Sequence, residues 1–175
     1  MFAGKLADFK GADVLLDAAA LYEREDPGLA TVLVGDGELR GDLEARASRL
    51  GLSRVRFLGH RPQTELARWF QAADVAVFPS RREPFGLVAI EAMACGTPVV
   101  ATNEGGLPDF VTPDVGTLVP VDDAAALAAA VRREAEAKET RGPAAARRAA
   151  AEHSWRSRVA QTVSVAYEEA LGDRS

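Results

Sequence analysis

The stretch ADVAVFPSRREPFGLVAIEAMACGTPVVAT, residues 73–102, passes through three kinds of local structure in quick succession. Val75 to Phe78 is a short apolar run of strand-favouring residues, and Pro79 stops it. Leu87 to Ala94 is apolar and free of breakers, so it predicts a helix, which Gly96 closes. Val99 to Ala101 is strand-like again. Strand, helix and strand on short connections predict a βαβ unit with parallel strands buried on both faces. The turn into the helix needs its own explanation. Ser80 to Gly86 sets Arg81, Arg82 and Glu83 directly against an apolar helix, and Glu91 follows beyond the helix's first turn.

Working outward, the same alternation fills the chain as far as Val121. Phe2-Ala3 reads as the end of a strand, with a loop from Gly4 to Gly11 behind it. Val14, Leu15, Ala18, Leu21 and Tyr22 then recur at helical spacing. Thr31 to Val34 is a second strand, ending at Gly35-Asp36-Gly37, and Leu39, Leu43, Ala47 and Leu50 give the next helix its apolar side. Val55 to Leu58 is a third strand; Pro62 opens a helix through Leu66, Trp69 and Phe70; Gly116 to Val119 is a sixth strand. The expected fold is α/β: a Rossmann-like, six-stranded parallel sheet with helices on both faces. Ligands of such sheets bind beyond the carboxyl ends of the strands. The loops Gly4–Gly11, Gly35–Gly37, Gly59–Arg61, Ser80–Gly86 and Thr102–Asp109 are therefore expected on one rim. Residues 1–175 form one domain in this reading, with a core over 1–121 and a helical segment over 122–175. Asp122 is expected to cap a helix through Arg133. Ser154 is expected to cap a last helix whose Trp155, Val159, Val163, Ala166 and Tyr167 make an apolar stripe.

Composition sets limits on function. The 175 residues are 47% hydrophobic and 27% charged, as in a soluble globular domain. No apolar run is long enough to span a bilayer, and no signal-peptide pattern is present. A net charge of −5 argues against a nucleic-acid partner, so any bound anion must be held by a local cluster. Cys95 has no second cysteine to pair with, which points to a reducing, cytoplasmic setting. One thiol and two histidines also argue against a Cys/His metal site.

Read this way, Ser80–Gly86 is a binding loop. Phe85, Gly86 and Leu87 present the N–H groups of a helix's first turn, an anion site to which the dipole adds about 0.3–1 kcal/mol. Glycine at position 86 would let a phosphate approach the backbone. Glu91 can accept from both hydroxyls of a ribose diol, and Glu83 from hydroxyls of a second sugar. Two such acceptors about an anion-binding turn fit a sugar–diphosphate–ribose. The plainer readings stand beside this one. Lys5 and Lys10 can be solvated loop lysines, Arg81 and Arg82 a solvated turn, His60 and His153 residues without special chemistry, Cys95 a small buried side chain, and Gly35 and Gly37 simple turn formers.

The spacing E-x₇-E within EPFGLVAIEAMACGTPVVAT, followed by GGLPD, resembles the donor-binding segment of the family-4 (group 1) retaining glycosyltransferases. AGKLADFKGADVLLDA, LVGDGELR, VRFLGHRP, ADVAVFPS and HSWRSRVAQ match that family in order and spacing. The resemblance covers the chain from its first strand to its last helix. It implies the C-terminal, nucleotide-sugar-binding half of a GT-B fold. It also implies that Lys5 and Lys10 hold the diphosphate, joined by the backbone of Phe85, Gly86 and Leu87. Glu91 would take the ribose and Glu83 the transferred sugar, bordered by Gly105 and Gly106, with Gly35, Gly59 and Arg61 near the nucleoside. Lysine at position 5 replaces the family's commoner arginine, and Asp109 its commoner glutamate; the latter leaves a role for Asp109 open.

The candidate catalytic residues are thus Glu83, Lys5 and Lys10, with no metal and no cofactor. The donor would be a nucleotide diphosphate sugar, UDP- or GDP-linked. Lysines and a helix start fixed beside the leaving diphosphate can replace a metal ion, and the chain has no D-x-D motif. The family's acceptor site belongs to an N-terminal domain expected to be missing, so this chain alone is expected to bind donor and transfer little. Its last helix is expected to favour self-association. A non-catalytic sugar-nucleotide-binding module is the alternative. A dinucleotide-dependent oxidoreductase would need G-x-G-x-x-G after the first strand, which Gly4 to Gly11 does not supply.

Overall fold

The computed structural model describes residues 1–137. In chain order the elements are β1 (Phe2–Ala3), α1 (Ala12–Glu25), β2 (Thr31–Val34), α2 (Arg40–Arg49), β3 (Val55–Gly59), α3 (Gln63–Ala72), β4 (Ala76–Phe78), α4 (Leu87–Ala94), β5 (Val99–Thr102) and β6 (Gly116–Val119). A further helix, α5, runs over 124–137. Single 3-10 turns occupy Asp8–Lys10 and Leu107–Asp109. The expected last helix, with Ser154 and the Trp155 stripe, lies outside the described residues.

All strand pairs are parallel, in two three-stranded sheets ordered β1-β2-β3 and β4-β5-β6. Met1 sets the two edge to edge. Its terminal amine donates to the Val75 carbonyl at 2.8 Å, and the Val77 N–H donates to the Met1 carbonyl at 2.8 Å. The strands therefore run β3-β2-β1-β4-β5-β6 across the molecule, with the direction of winding reversing between β1 and β4. In open parallel sheets a crevice forms at that reversal, outside the carboxyl ends of the strands.

Period-two alternation along each strand assigns its side chains to two cores. Phe2, Leu33, Val75, Val77 and Val100 pack on one face with Leu15 and Leu16 of α1, Leu43 of α2 and Leu127 of α5. Met1, Ala3, Val34, Ala76, Phe78, Val99 and Ala101 pack on the other with Phe70 of α3, Met93 of α4, Leu107 and Phe110. Each large side chain fully buried here contributes roughly 1.5–3 kcal/mol. The β2–β3 register slips by one residue after Leu33–Phe57, so Leu58 is unpaired and Gly59 faces Val34.

One capping assignment is corrected. The Asp123 carboxylate, not that of Asp122, accepts the Ala126 N–H at 2.8 Å and caps α5, which continues past Arg133. Asp122 sits one residue too early, in a left-handed turn with φ 59°. Its side chain is engaged elsewhere.

Candidate functional site

The loop after β1 and the loop after β4 meet at the β1/β4 reversal. Gly11 makes that approach possible: a Cβ there would fall 1.9 Å from the Pro79 carbonyl oxygen. Above this contact the N–H groups of Arg81 and Arg82 both donate to the Phe9 carbonyl, at 2.8 and 3.3 Å. Lys10 follows Phe9 and Glu83 follows Arg82, so the tie carries one onto the other. The Lys10 ammonium lies 2.5 Å from Glu83 Oε2, with 19% and 14% of the two side chains exposed. Ser80 Oγ lies 3.5 Å from the same oxygen. Glu83 Oε1 accepts the Gly86 N–H at 3.0 Å.

This arrangement refines the expected anion site. Of the three amides at the helix start, that of Gly86 is donated to Glu83. Gly86 is the residue before α4, with φ 64°, and a Cβ there would come within 2.5 Å of the Phe110 ring. Packing on Phe110 and a left-handed backbone thus require glycine directly. Leu87 opens α4, and the side chains of Phe85 and Leu87 are exposed.

Gly105 and Gly106 lie under the same loop. A Cβ on Gly105 would fall 2.0 Å from the Glu83 carbonyl oxygen, and one on Gly106 2.8 Å from that of Pro84. The Gly106 N–H donates to the Glu83 carbonyl at 3.0 Å. The pair supports the backbone of Glu83, a geometric tie that residue spacing alone does not reveal. Thr102 Oγ1, at the end of β5, adds a buried hydrogen bond of 2.6 Å to the Ser80 carbonyl.

Beside this junction, a hollow of about 320 Å³ opens between the ends of β1, β2 and β3. Lys5, Gly35, Asp36, His60, Arg61 and Val88 line it among others. Lys5 pairs with Glu38 at 3.1 Å, and Arg61 with Glu65 at 3.6 Å. Gly35 is pressed against the first loop, since a Cβ there would lie 1.8 Å from the Gly4 carbonyl oxygen. Gly59 closes β3 with φ 72°. The Gly37 N–H and Arg40 hold the Asp36 carboxyl below its ordinary pKa despite some opposing desolvation. Glu91 lies on the side of α4 facing α3, one turn beyond Val88 of that hollow, and its Oε1 accepts from Gln63 Nε2 at 3.2 Å. It lines a mostly apolar hollow with Phe70, Cys95 and Leu66, the last of which also lines the larger hollow. Burial, and then the charge of Glu91, push the Cys95 thiol up.

Lys5, Lys10, Glu83, the start of α4, Gly35, Gly59 and the Gly105–Gly106 pair therefore lie along one rim. Reading the residues did not resolve Arg81, whose bidentate pairing depends on partners far away in the chain. The sequence model of the glycosyl transferases group 1 matches residues 1–150. The chain belongs to the group 1 glycosyltransferases. It is 45% identical to the D-inositol 3-phosphate glycosyltransferase of Saccharomonospora viridis, over 89% of this chain and 39% of that protein. It is 44% identical to the same-named enzyme of Thermomonospora curvata, over 76% of this chain and 33% of that protein. This glycosyltransferase chain thus spans between a third and two fifths of the length of these curated relatives.

Solved structures agree with the expected half of a GT-B architecture. Sucrose-phosphate synthase from Thermosynechococcus elongatus superposes with a TM-score of 0.83 at 35% identity, covering 98% of this chain and 45% of that one. HepE from Anabaena, in complex with UDP and glucose, superposes with a TM-score of 0.76 at 31% identity, covering 93% of this chain and 48% of that one. Among the described residues, no helix is long and apolar enough to cross a membrane.

Proposed function

We propose that this group 1 glycosyltransferase chain is the donor half of a retaining, metal-independent, cytoplasmic sugar transferase, and that it binds a nucleotide diphosphate sugar at the β1/β4 rim. The observation carrying this reading is that Glu83 links Lys10 to the start of α4 where the strand order reverses. The UDP and glucose held by HepE support a UDP-linked donor, with GDP as the alternative.

In this reading Lys10 and Lys5 neutralise the diphosphate, aided by the first-turn amides of α4. As the bond from the anomeric carbon to the diphosphate oxygen breaks, negative charge grows on the leaving oxygens. Donors already fixed beside them stabilise it without reorganising. Glu83 contacts the transferred sugar, bordered by Gly105 and Gly106. Glu91 takes the ribose, and Gly35, Gly59 and Arg61 flank the nucleoside. The acceptor site and part of the catalytic apparatus belong to an N-terminal domain, and no further cofactor takes part.

Calorimetric titration of UDP-, GDP- and ADP-sugars, with NAD as control, tests the proposal. Saturable binding of one sugar nucleotide, lost in Lys10→Met, is expected. Binding of NAD alone, or of nothing, would reject it. Sugar transfer by this chain at the rate of a two-domain enzyme would reject the missing-half reading.

A further inference from the structure

Arg81 makes the densest set of charged contacts beside the site. Its guanidinium engages Asp13 with both prongs, Nη1 to Oδ1 at 3.0 Å and Nη2 to Oδ2 at 2.8 Å. Nη1 also donates to the Asp8 carbonyl at 2.6 Å and lies 3.4 Å from Asp8 Oδ1. Nε donates to Asp122 Oδ1 at 2.7 Å. With the main-chain bonds of Arg81 and Arg82 to the Phe9 carbonyl, these contacts fasten the 3-10 turn Asp8–Lys10, the first turn of α1 and the turn after β6 to the loop that carries Glu83.

Asp122 supplies an independent sign that this geometry is enforced. It is the one non-glycine residue with positive φ among the described residues. Strain of that kind persists where surrounding contacts over-determine the backbone, and here the contact is a carboxylate aimed at Arg81. Three aspartates around a single guanidinium also make the cation hard to remove, because the carboxylates would then repel one another. Lysine could not reproduce the fork, since its ammonium is a point charge.

We infer that Arg81 is a positioning residue, which braces the turn ending in Lys10 against the loop bearing Glu83 and so fixes where Lys10 presents its ammonium to the donor's diphosphate. The inference rests on the donor-site reading above and adds a determinant of phosphate binding that touches no phosphate. Asp122 and Asp13 belong to the same brace.

The test uses the full chain with Arg81→Lys and Asp122→Asn, the latter keeping a residue that tolerates left-handed backbone. UDP and GDP are titrated by calorimetry, and uridine and guanosine by ligand-observed NMR. Affinity for the diphosphate that binds the wild type is expected to fall about tenfold in Arg81→Lys and severalfold in Asp122→Asn, a loss of roughly 1.4 kcal/mol for the former. Nucleoside affinity is expected to stay unchanged. Equal affinities in wild type and variants, or nucleoside and diphosphate weakening in the same proportion, would overturn the brace while leaving the donor site standing. Failure of the wild type to bind either diphosphate would overturn both.

Discussion

Glu83 holds, through its two carboxylate oxygens, the Lys10 ammonium on one side and the Gly86 amide on the other. Both are groups that the proposed donor would engage through its diphosphate. In that proposal the carboxylate competes with the phosphates for the same donors, and it would turn toward the sugar when they bind.

Removing the competing charge is expected to help the nucleotide and harm the chemistry. Hydrogen bonds to charged groups are worth about 1.5–3 kcal/mol, so Glu83→Gln should tighten UDP or GDP by about tenfold. Calorimetry reads this directly. In a protein that includes an acceptor domain, transfer by the same variant should fall. Unchanged or weaker diphosphate binding would mean that Glu83 is not in competition for Lys10.

Two glycine substitutions should move stability in opposite directions. Gly86→Ala combines a left-handed backbone with a clash on Phe110 and should cost about 2–4 kcal/mol. Gly41, in α2, has open space around its missing Cβ, and Gly41→Ala should stabilise by about 0.5–1 kcal/mol. Urea unfolding of the two variants separates these outcomes. A neutral Gly86→Ala would refute the packing argument.

Burial lowers the pKa of the Met1 amine from 8.0 to about 5, against a smaller opposing effect of Asp74. Between those values the folded chain keeps the amine neutral while the unfolded chain protonates it. Unfolding then takes up a proton, so stability should rise with pH across this window and fall on acidification, by at most about 1.4 kcal/mol per unit. Thermal melts of the chain beginning at Met1 from pH 5 to 8, compared with its N-acetylated form, check this. The two forms should diverge most at the acid end; parallel curves would exclude a buried amine.

Asp13 behaves oppositely. Burial pushes its carboxyl up, but hydrogen bonds and charge from Arg81, with N–H groups of its own turn, bring it below the ordinary 3.8. Its contribution is present above that value and disappears as pH falls through the lower folded-state pKa. NMR titration should find the Asp13 shift reduced in Arg81→Lys. An identical titration in that variant would separate Asp13 from the brace.

Much of this was legible in the residues. Short β-branched runs alternating with helical periodicity set out a parallel α/β layout, and Val75–Phe78 against the observed Ala76–Phe78 shows how closely a strand can be read. The convergence of Lys10, Glu83 and Gly105–Gly106 followed from placing every loop at the carboxyl ends of the strands. What escaped was specific to three-dimensional approach. Nothing in the order of residues says that Gly86 faces Phe110, that the Gly86 amide is taken by Glu83, or that Asp122 turns left-handed to meet Arg81. Local capping logic chose Asp122 over Asp123 for the same reason, since either aspartate suits a helix start until a distant guanidinium claims one of them.

Across the line where β1 meets β4, two backbone hydrogen bonds are found among the described residues, both made by Met1. The three-stranded halves on either side are each laced along several residues. The two three-stranded panels are thus joined mainly through the side chains that both cores share and the loop ties above them, and the proposed sugar nucleotide would lie across that seam. A bound donor would act as a clasp, so amide exchange near Met1 and Val77 should slow more on nucleotide addition than exchange deep within either panel.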